Sequence, residues 1–340
     1  MSLFQRRLSA KSILDESGLD HEKDSLIDHV DSGEFSPHRV YDFCWFKWAV
    51  SKSLTCSFAE LPHWLQDNYD IFTGYRRPTF SYLKCIKSLF YLHNESVNIW
   101  SHLVGAIMFV LFSVITYFYL LTHPSIKWWD FIAFYCFLIG ALTCLSLSAA
   151  FHTFCCHSEK VCANWNRCDY VGIVALIVGS IIPLVYYGFY CHNTLKIIYI
   201  TLLSLFGIAT IFVATDLRFR TPPYRWFRTG LFFALGGSAI IPILHAVILY
   251  GVNLSFDVIA LKWMAITGGF YMLGAVVYGT RIPESLSPGS FDVLGSSHQI
   301  FHFFVLAATL THYYGVIQAM TFWHEQNHEC QLDIEKMKPL

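Results

Sequence analysis

The chain has 340 residues, 55% of them hydrophobic and 14% charged, with a net charge of −1. Soluble domains sit near ~45–50% apolar and ~25% charged, so this composition suits the bilayer as solvent, and its neutral balance excludes a role on nucleic acid. Eleven cysteines, scattered and often inside apolar runs, make no disulfide framework and read mostly as buried, reduced thiols.

Residues 1–40 are polar and mixed in charge, without the apolar stretch of a signal peptide, and read as a disordered cytosolic tail. The first spanning helix then has to act as the insertion signal. Residues 41–97 form a further non-spanning cytosolic segment. Within it, Ser57 to Pro62 offers a helix start with Pro62 in its first turn. Leu61, Trp64, Leu65, Tyr69, Ile71 and Phe72 then give a partly apolar face. Two readings stand side by side: a short amphipathic helix resting on the membrane, or a linker with a few aromatics.

Residues 98–322 carry seven apolar stretches long enough to cross ~30 Å of hydrocarbon as helices. They run roughly over 98–122, 129–154, 170–190, 195–215, 229–250, 258–280 and 298–320. The fold expected is an all-α, seven-helix transmembrane bundle, with 323–340 as a short external tail. Trp128, Trp129, Trp263 and Trp323 lie near the ends of these stretches, where an interfacial aromatic belt belongs. Of the 23 lysines and arginines, 18 fall on the side of the N-terminal tail and the second, fourth and sixth loops. Short loops alone give seven against three. The positive-inside rule then sets the N-terminus in the cytosol and the C-terminus outside, opposite to a G-protein-coupled receptor.

Ionisable groups inside or at the edge of spans are costly and therefore functional candidates. His298 and His302 open the seventh helix at i, i+4 spacing, which puts both imidazoles on one helical face. Zinc takes His nitrogen at ~2.0–2.1 Å, and catalytic sites combine three protein ligands with a water. His152, at the cytosolic end of the second helix, lies at the same predicted depth and supplies the third ligand. Asp169 sits where the second loop enters the third helix, as a proton-transfer group or as a helix cap. Ser148 stands one turn before His152, either polarising a carbonyl or back-bonding to its own helix. The histidine spacing is that of His-Glu-x-x-His hydrolases, but Gln299 fills the slot of their glutamate base. His102, His245 and His312 lack partners at metal spacing and read as hydrogen-bonding or cavity residues. Cys155, Cys156, Cys162 and Cys168 crowd the second loop without a C-x-x-C pair, so plain thiols are favoured over a second zinc site. The seventh helix has no lysine for a retinal Schiff base, and no phosphate-binding glycine loop occurs.

Phe151-His152-Thr153-Phe154-Cys155-Cys156-His157-Ser158-Glu159-Lys160, Cys168-Asp169-Tyr170-Val171-Gly172 and Ser296-Ser297-His298-Gln299-Ile300-Phe301-His302 resemble the progestin and adipoQ receptor family. Glu60-Leu61-Pro62-His63-Trp64-Leu65, Gly74-Tyr75-Arg76 and His93-Asn94-Glu95-Ser96-Val97-Asn98-Ile99-Trp100-Ser101-His102 extend that resemblance over roughly residues 57–320. It implies a seven-helix bundle with a cytosolic N-terminus. It also implies zinc held by His152, His298 and His302, with Asp169 contacting the water at the metal and Ser148 nearby. The activity implied is hydrolysis of ceramide-like amides in some members, with the lipid or its released fatty acid inside the bundle, and hormone sensing in others. Fungal members are linked to zinc and lipid homeostasis. No extracellular ligand is named by the residues. Beside a zinc-dependent lipid amide hydrolase, the alternative is a receptor or sensor in which zinc is structural. A zinc transporter is disfavoured, because conduction needs weak, multiple sites.

Overall fold

A computed structural model describes residues 54–220, 222–325 and 330. The tail expected over 1–40, the beginning of the 41–97 segment and most of the tail after 325 lie outside the described residues. Within them the chain is almost entirely helical. Thr55–Cys56 (β1) pairs antiparallel with Tyr75–Arg76 (β2), and Tyr82–Lys87 (α1) follows. The long helices are Ser96–Leu121 (α2), Trp128–Phe154 (α3), Glu159–Gly188 (α4) and Asn193–Ala214 (α5). Arg225–Gly237 (α6), Ile240–Val258 (α7), Leu261–Thr280 (α8) and Ser297–Glu325 (α9) complete the bundle.

Six helical segments among the described residues are long and apolar enough to cross a membrane, with α6 and α7 together forming one of them. The pair breaks at Ser238–Ala239, just after Gly236-Gly237, and bends again at Gly251 with φ +75°. The sixth stretch expected from the sequence folds as α8. It has spanning length but is less apolar, being interrupted by Lys262, Gly268, Gly269, Gly274 and Gly279.

Large apolar side chains point outward along the spans, including Ile107, Leu111, Ile115 and Phe118 on α2 and Leu202, Leu205 and Phe212 on α5. An aqueous surface would not tolerate patches of that extent, so lipid is their natural neighbour. Phe109, Phe134, Phe137, Leu145 and Val185 fill the interior. Trp128 and Trp129 are exposed as a belt requires, whereas Trp323 is buried and donates its indole N–H to the Tyr187 carbonyl at 2.9 Å.

Three differences from the sequence reading bear on the site. The third spanning helix begins at Glu159, well before its apolar run, because the polar turn Glu159-Lys160-Val161-Cys162 is helical too. Asp169 therefore lies inside α4 and cannot cap its N-terminus. The helix expected from Ser57 resolves into two 3-10 turns, Phe58–Glu60 and His63–Leu65, with Pro62 between them. Finally, Cys191 and Cys330 form a disulfide, while the other eight described cysteines are in none.

Candidate metal centre

The seam between α3 and α4 sets the geometry on one side. A Cβ on Gly140 would stand 2.5 Å from the Ala175 carbonyl oxygen, and one on Gly179 the same distance from that of Cys136. Only glycine permits so close an approach, the small-residue packing of membrane helices. That contact lays the C-terminal end of α3, carrying Ser148 and His152, against the first turns of α4, carrying Asp169. Ser148 and Asp169 are side-chain neighbours, and both line one cavity.

The third partner is the start of α9. The imidazole rings of His152, His298 and His302 form a nearly equilateral triangle, with centroid separations of 5.0, 4.8 and 5.0 Å. One nitrogen from each lies within 4.8 Å of the others. Among the described residues no other His, Cys, Asp or Glu group is close enough to hold a metal ion.

A ligand imidazole in a metal site commonly has its second nitrogen engaged by a carboxylate or carbonyl, which sets its tautomer and direction. Here Nδ1 of His152 lies 2.6 Å from Glu95 Oε2, and Nδ1 of His302 lies 3.1 Å from the Asn98 carbonyl. His152 Nε2 is buried with no hydrogen-bond partner, an orphan that a metal would satisfy. The donor set therefore fits a metal that accepts neutral imidazole, and zinc is such an ion. Glu95 Oε2 is held between His152 Nδ1 at 2.6 Å and Asn98 Nδ2 at 2.7 Å, so hydrogen bonds answer its carboxylate.

Backbone ties hold the ligand helices. The buried guanidinium of Arg76 donates from Nη2 to the His152 carbonyl and from Nη1 to the Thr153 carbonyl at 3.1 Å. These are orphan acceptors at the end of α3 that nothing in the helix can satisfy. Glu284, fully buried, caps α9 by accepting from Ser297 N at 2.7 Å and from the Ser297 hydroxyl. The Gln299 amide is fully engaged with loop backbone. Its nitrogen donates to the carbonyls of Asn94 and Val293 at 3.0 and 2.8 Å, and its oxygen accepts from Gly295 N at 2.6 Å. The slot that would carry a base in His-Glu-x-x-His hydrolases thus holds a loop clamp.

His298 and His302 line a cavity of about 630 Å³, within the ~300–1,000 Å³ usual for small-molecule sites. Its walls are mostly apolar, from α4, α6, α7, α8 and α9, including Ile177, Leu184, Ile243 and Met264. Its polar lining groups include Asp169, Ser148, Arg228 and Tyr278 with His298 and His302, and also Ser180, Thr267 and His312. Tyr278 meets His298 edge-on at 5.2 Å, and the Arg228 guanidinium lies 5.7 Å from the centre of the Tyr170 ring.

Glu95, Arg76, Glu284, Arg228 and Tyr278 were not singled out from the sequence. Glu95 carried a usable signal, being an acid two residues after a histidine at the mouth of the first span. His102, set aside for lack of metal spacing, stacks on His302 at 3.8 Å with both nitrogens buried and unpartnered. His245 is an ordinary hydrogen-bonder, its Nδ1 2.8 Å from the Tyr199 hydroxyl.

A family model described as haemolysin-III related matches residues 90–313. The chain is 39% identical over 315 residues to the adiponectin receptor protein of Drosophila melanogaster, covering 91% of this chain and 70% of that protein. It is 39% identical over 268 residues to the ADIPOR-like receptor IZH2 of Saccharomyces cerevisiae, with 79% and 84% covered. Against heptahelical transmembrane protein 1 of Arabidopsis thaliana the identity is 36% over 268 residues, covering 76% and 78%.

Proposed function

The chain belongs to the haemolysin-III-related family of adiponectin-receptor-like, multi-pass integral membrane proteins, and on that premise we propose that it is a zinc-dependent hydrolase of ceramide-like lipid amides in lipid and zinc homeostasis. One observation carries the reading. Three imidazoles, two with their second nitrogen already committed, face one another, and two of them line a mostly apolar cavity together with Asp169 and Ser148.

Zinc bound there would polarise an amide carbonyl and lower the pKa of a water towards ~7. The chain's own residues do the rest. Asp169 takes the proton of the attacking water on its carboxylate and passes it to the departing amine. Ser148, beside Asp169, orients the carbonyl. The apolar walls hold the acyl chain and keep bulk water out, which strengthens every charge interaction at the site. Arg228, a cation lining the same cavity, receives the carboxylate that amide cleavage releases.

The proposed topology has seven spans, with α8 as the sixth, the N-terminus cytosolic and the C-terminus outside. The lysine and arginine asymmetry supports it. So does the Cys191–Cys330 disulfide, which joins the loop after α4 to the chain beyond α9, at the end of the bundle away from the histidines. Disulfides persist in oxidising compartments.

A sensor with structural zinc is the second reading, favoured by the way the ligands join α3 to α9. The Asp169→Asn variant separates the two. The hydrolase reading expects a folded, zinc-loaded protein whose fatty-acid release from N-acyl lipids falls ~10²–10⁴-fold. Undiminished release would refute Asp169 as the base. If neither parent nor variant releases fatty acid while removing zinc unfolds both, the sensor replaces the enzyme.

A further inference from the structure

Below the histidine triangle, on the same side of the bundle, two cysteines from distant parts of the chain meet. Cys85 lies on α1, and Cys156 is the second residue past α3. Their sulfurs are 3.6 Å apart, and both side chains are free thiols. Two backbone hydrogen bonds fix the approach: Thr79 N donates to the Cys156 carbonyl at 2.9 Å and Phe80 N to the His157 carbonyl at 3.0 Å. The strand-like clamp leaves the sulfurs little to do beyond a side-chain rotation, since a disulfide needs only ~2.05 Å between them.

The surroundings differ for the two sulfurs. The Thr79 hydroxyl lies 3.1 Å from Cys85 Sγ, and the Arg76 guanidinium reaches the adjacent Cys155 Sγ at 3.3 Å. The neighbouring Cys156 thiol, then the Thr79 hydroxyl and the Arg76 and His157 charges, hold the Cys85 thiol below its ordinary range against the effect of burial. The same contact with Cys85, together with burial, pushes Cys156 up. The Thr79 hydroxyl beside Cys85 supports that sulfur as the nucleophile and leaves Cys156 as the resolving thiol. Both are buried, while Phe80, Tyr82, Leu83 and Ile86, close to Cys85 in the chain, are exposed.

We propose that Cys85 and Cys156 are a reversible dithiol–disulfide site whose oxidant is a hydroperoxide. Cys85 thiolate attacks the terminal oxygen of the hydroperoxide. The O–O bond breaks, an S–O bond forms, and the alcohol or water released takes up the proton that Cys85 gave. Cys156 then attacks the Cys85 sulfur. The S–O bond breaks, the S–S bond forms, and the hydroxyl leaves as water with the Cys156 proton. Two thiols lose two electrons to one O–O bond, and a thiol reductant reverses the change. The bridge would fasten α1 to the chain four residues past His152, in the region where Arg76 already grips the His152 carbonyl. Phe80, Tyr82, Leu83 and Ile86 present an apolar surface, so the hydroperoxide can come from water or from oxidised lipid.

Purified full-length protein is reduced, then exposed to hydrogen peroxide in one arm and to an apolar organic hydroperoxide in the other. It is then alkylated and digested without reductant. The expected product is one bridged peptide pair, Cys85–Cys156, forming at least tenfold faster than alkylatable Cys136 and Cys144 are lost, and reopening with dithiothreitol. The faster arm identifies the source of the oxidant. Cys156→Ser should leave Cys85 as a sulfenic acid that a 1,3-dione traps, whereas Cys85→Ser should leave Cys156 unoxidised. Absence of the bridge in both arms at doses that oxidise the partly exposed Cys168 overturns the proposal. So does a Cys156→Ser protein with no dione adduct on Cys85, an outcome that stands even if Cys85→Ser fails to fold.

Discussion

Replacing Glu95 tests whether the metal centre depends on a carboxylate that does not touch the metal. Its Oε2 lies 2.6 Å from His152 Nδ1 and accepts from Asn98 Nδ2 at 2.7 Å. A hydrogen bond to a charged group is worth about 1.5–3 kcal/mol and a neutral one about 0.5–1.5. Glu95→Gln keeps the reach and loses the charge, so the expected loss is the difference, about 1–1.5 kcal/mol. That is roughly tenfold in metal affinity, at 1.4 kcal/mol per factor of ten. Glu95→Ala removes the partner altogether and leaves a buried imidazole nitrogen unanswered, and outer partners of metal ligands typically cost ~10–100-fold. The upper end applies to alanine, tempered by the 28% exposure of the Glu95 side chain. Competition with a graded series of zinc chelators measures both affinities, and Glu60→Gln, which changes an exposed carboxylate paired with Arg77, serves as the control. Equal affinities for Glu95→Ala and the parent would show that His152 needs no such support and that the contact is incidental.

Metal analysis of the purified parent should give close to one zinc per chain, falling sharply in His298→Ala and His302→Ala; a double variant that keeps stoichiometric zinc removes the centre. Epitope tags probed before and after permeabilisation should find the N-terminus only after it and the C-terminus before it, and an externally accessible N-terminus reverses the topology. Gly179→Ala forces a methyl to within 2.5 Å of the Cys136 carbonyl and should destabilise by about 1–3 kcal/mol, as overpacking does. Gly230→Ala meets nothing within 4 Å and should be neutral or stabilising by up to about 1 kcal/mol; equal melting temperatures for the two variants would show that the α3–α4 seam is not tight.

The apolar helices and the pairing of His298 with His302 were readable because each rests on a local rule. A crossing helix needs an apolar run, and i, i+4 spacing puts two imidazoles on one face. Asp169 was placed at the mouth of the third span but lies inside α4, since apolarity marks where lipid begins rather than where α4 begins, and its first turns are polar. Trp323 sat at a predicted helix end and was taken for an interfacial anchor, but its burial depends on Tyr187, far away in sequence. Arg76, Glu95 and Glu284 escaped for the same reason. Each acts on a partner brought near only by folding, and from the sequence alone an acid or base just outside a span looks like any solvated charge. Gln299 shows the converse: its departure from a known hydrolase pattern was legible, but its use as a clamp on Asn94 and Val293 was not.

The ligands come from two helices separated by roughly 150 residues of chain, and this gives the centre a place in time. At ~5–20 residues per second, synthesis reaches His298 roughly 7–30 s after His152. During that interval Glu95 and Arg76, both already made, can orient His152 in a half-built bundle. The centre itself closes only when the last helix arrives beside the first ones. Any metal held by the three histidines would therefore be captured late in assembly, and its binding would report that α3 and α9 have met.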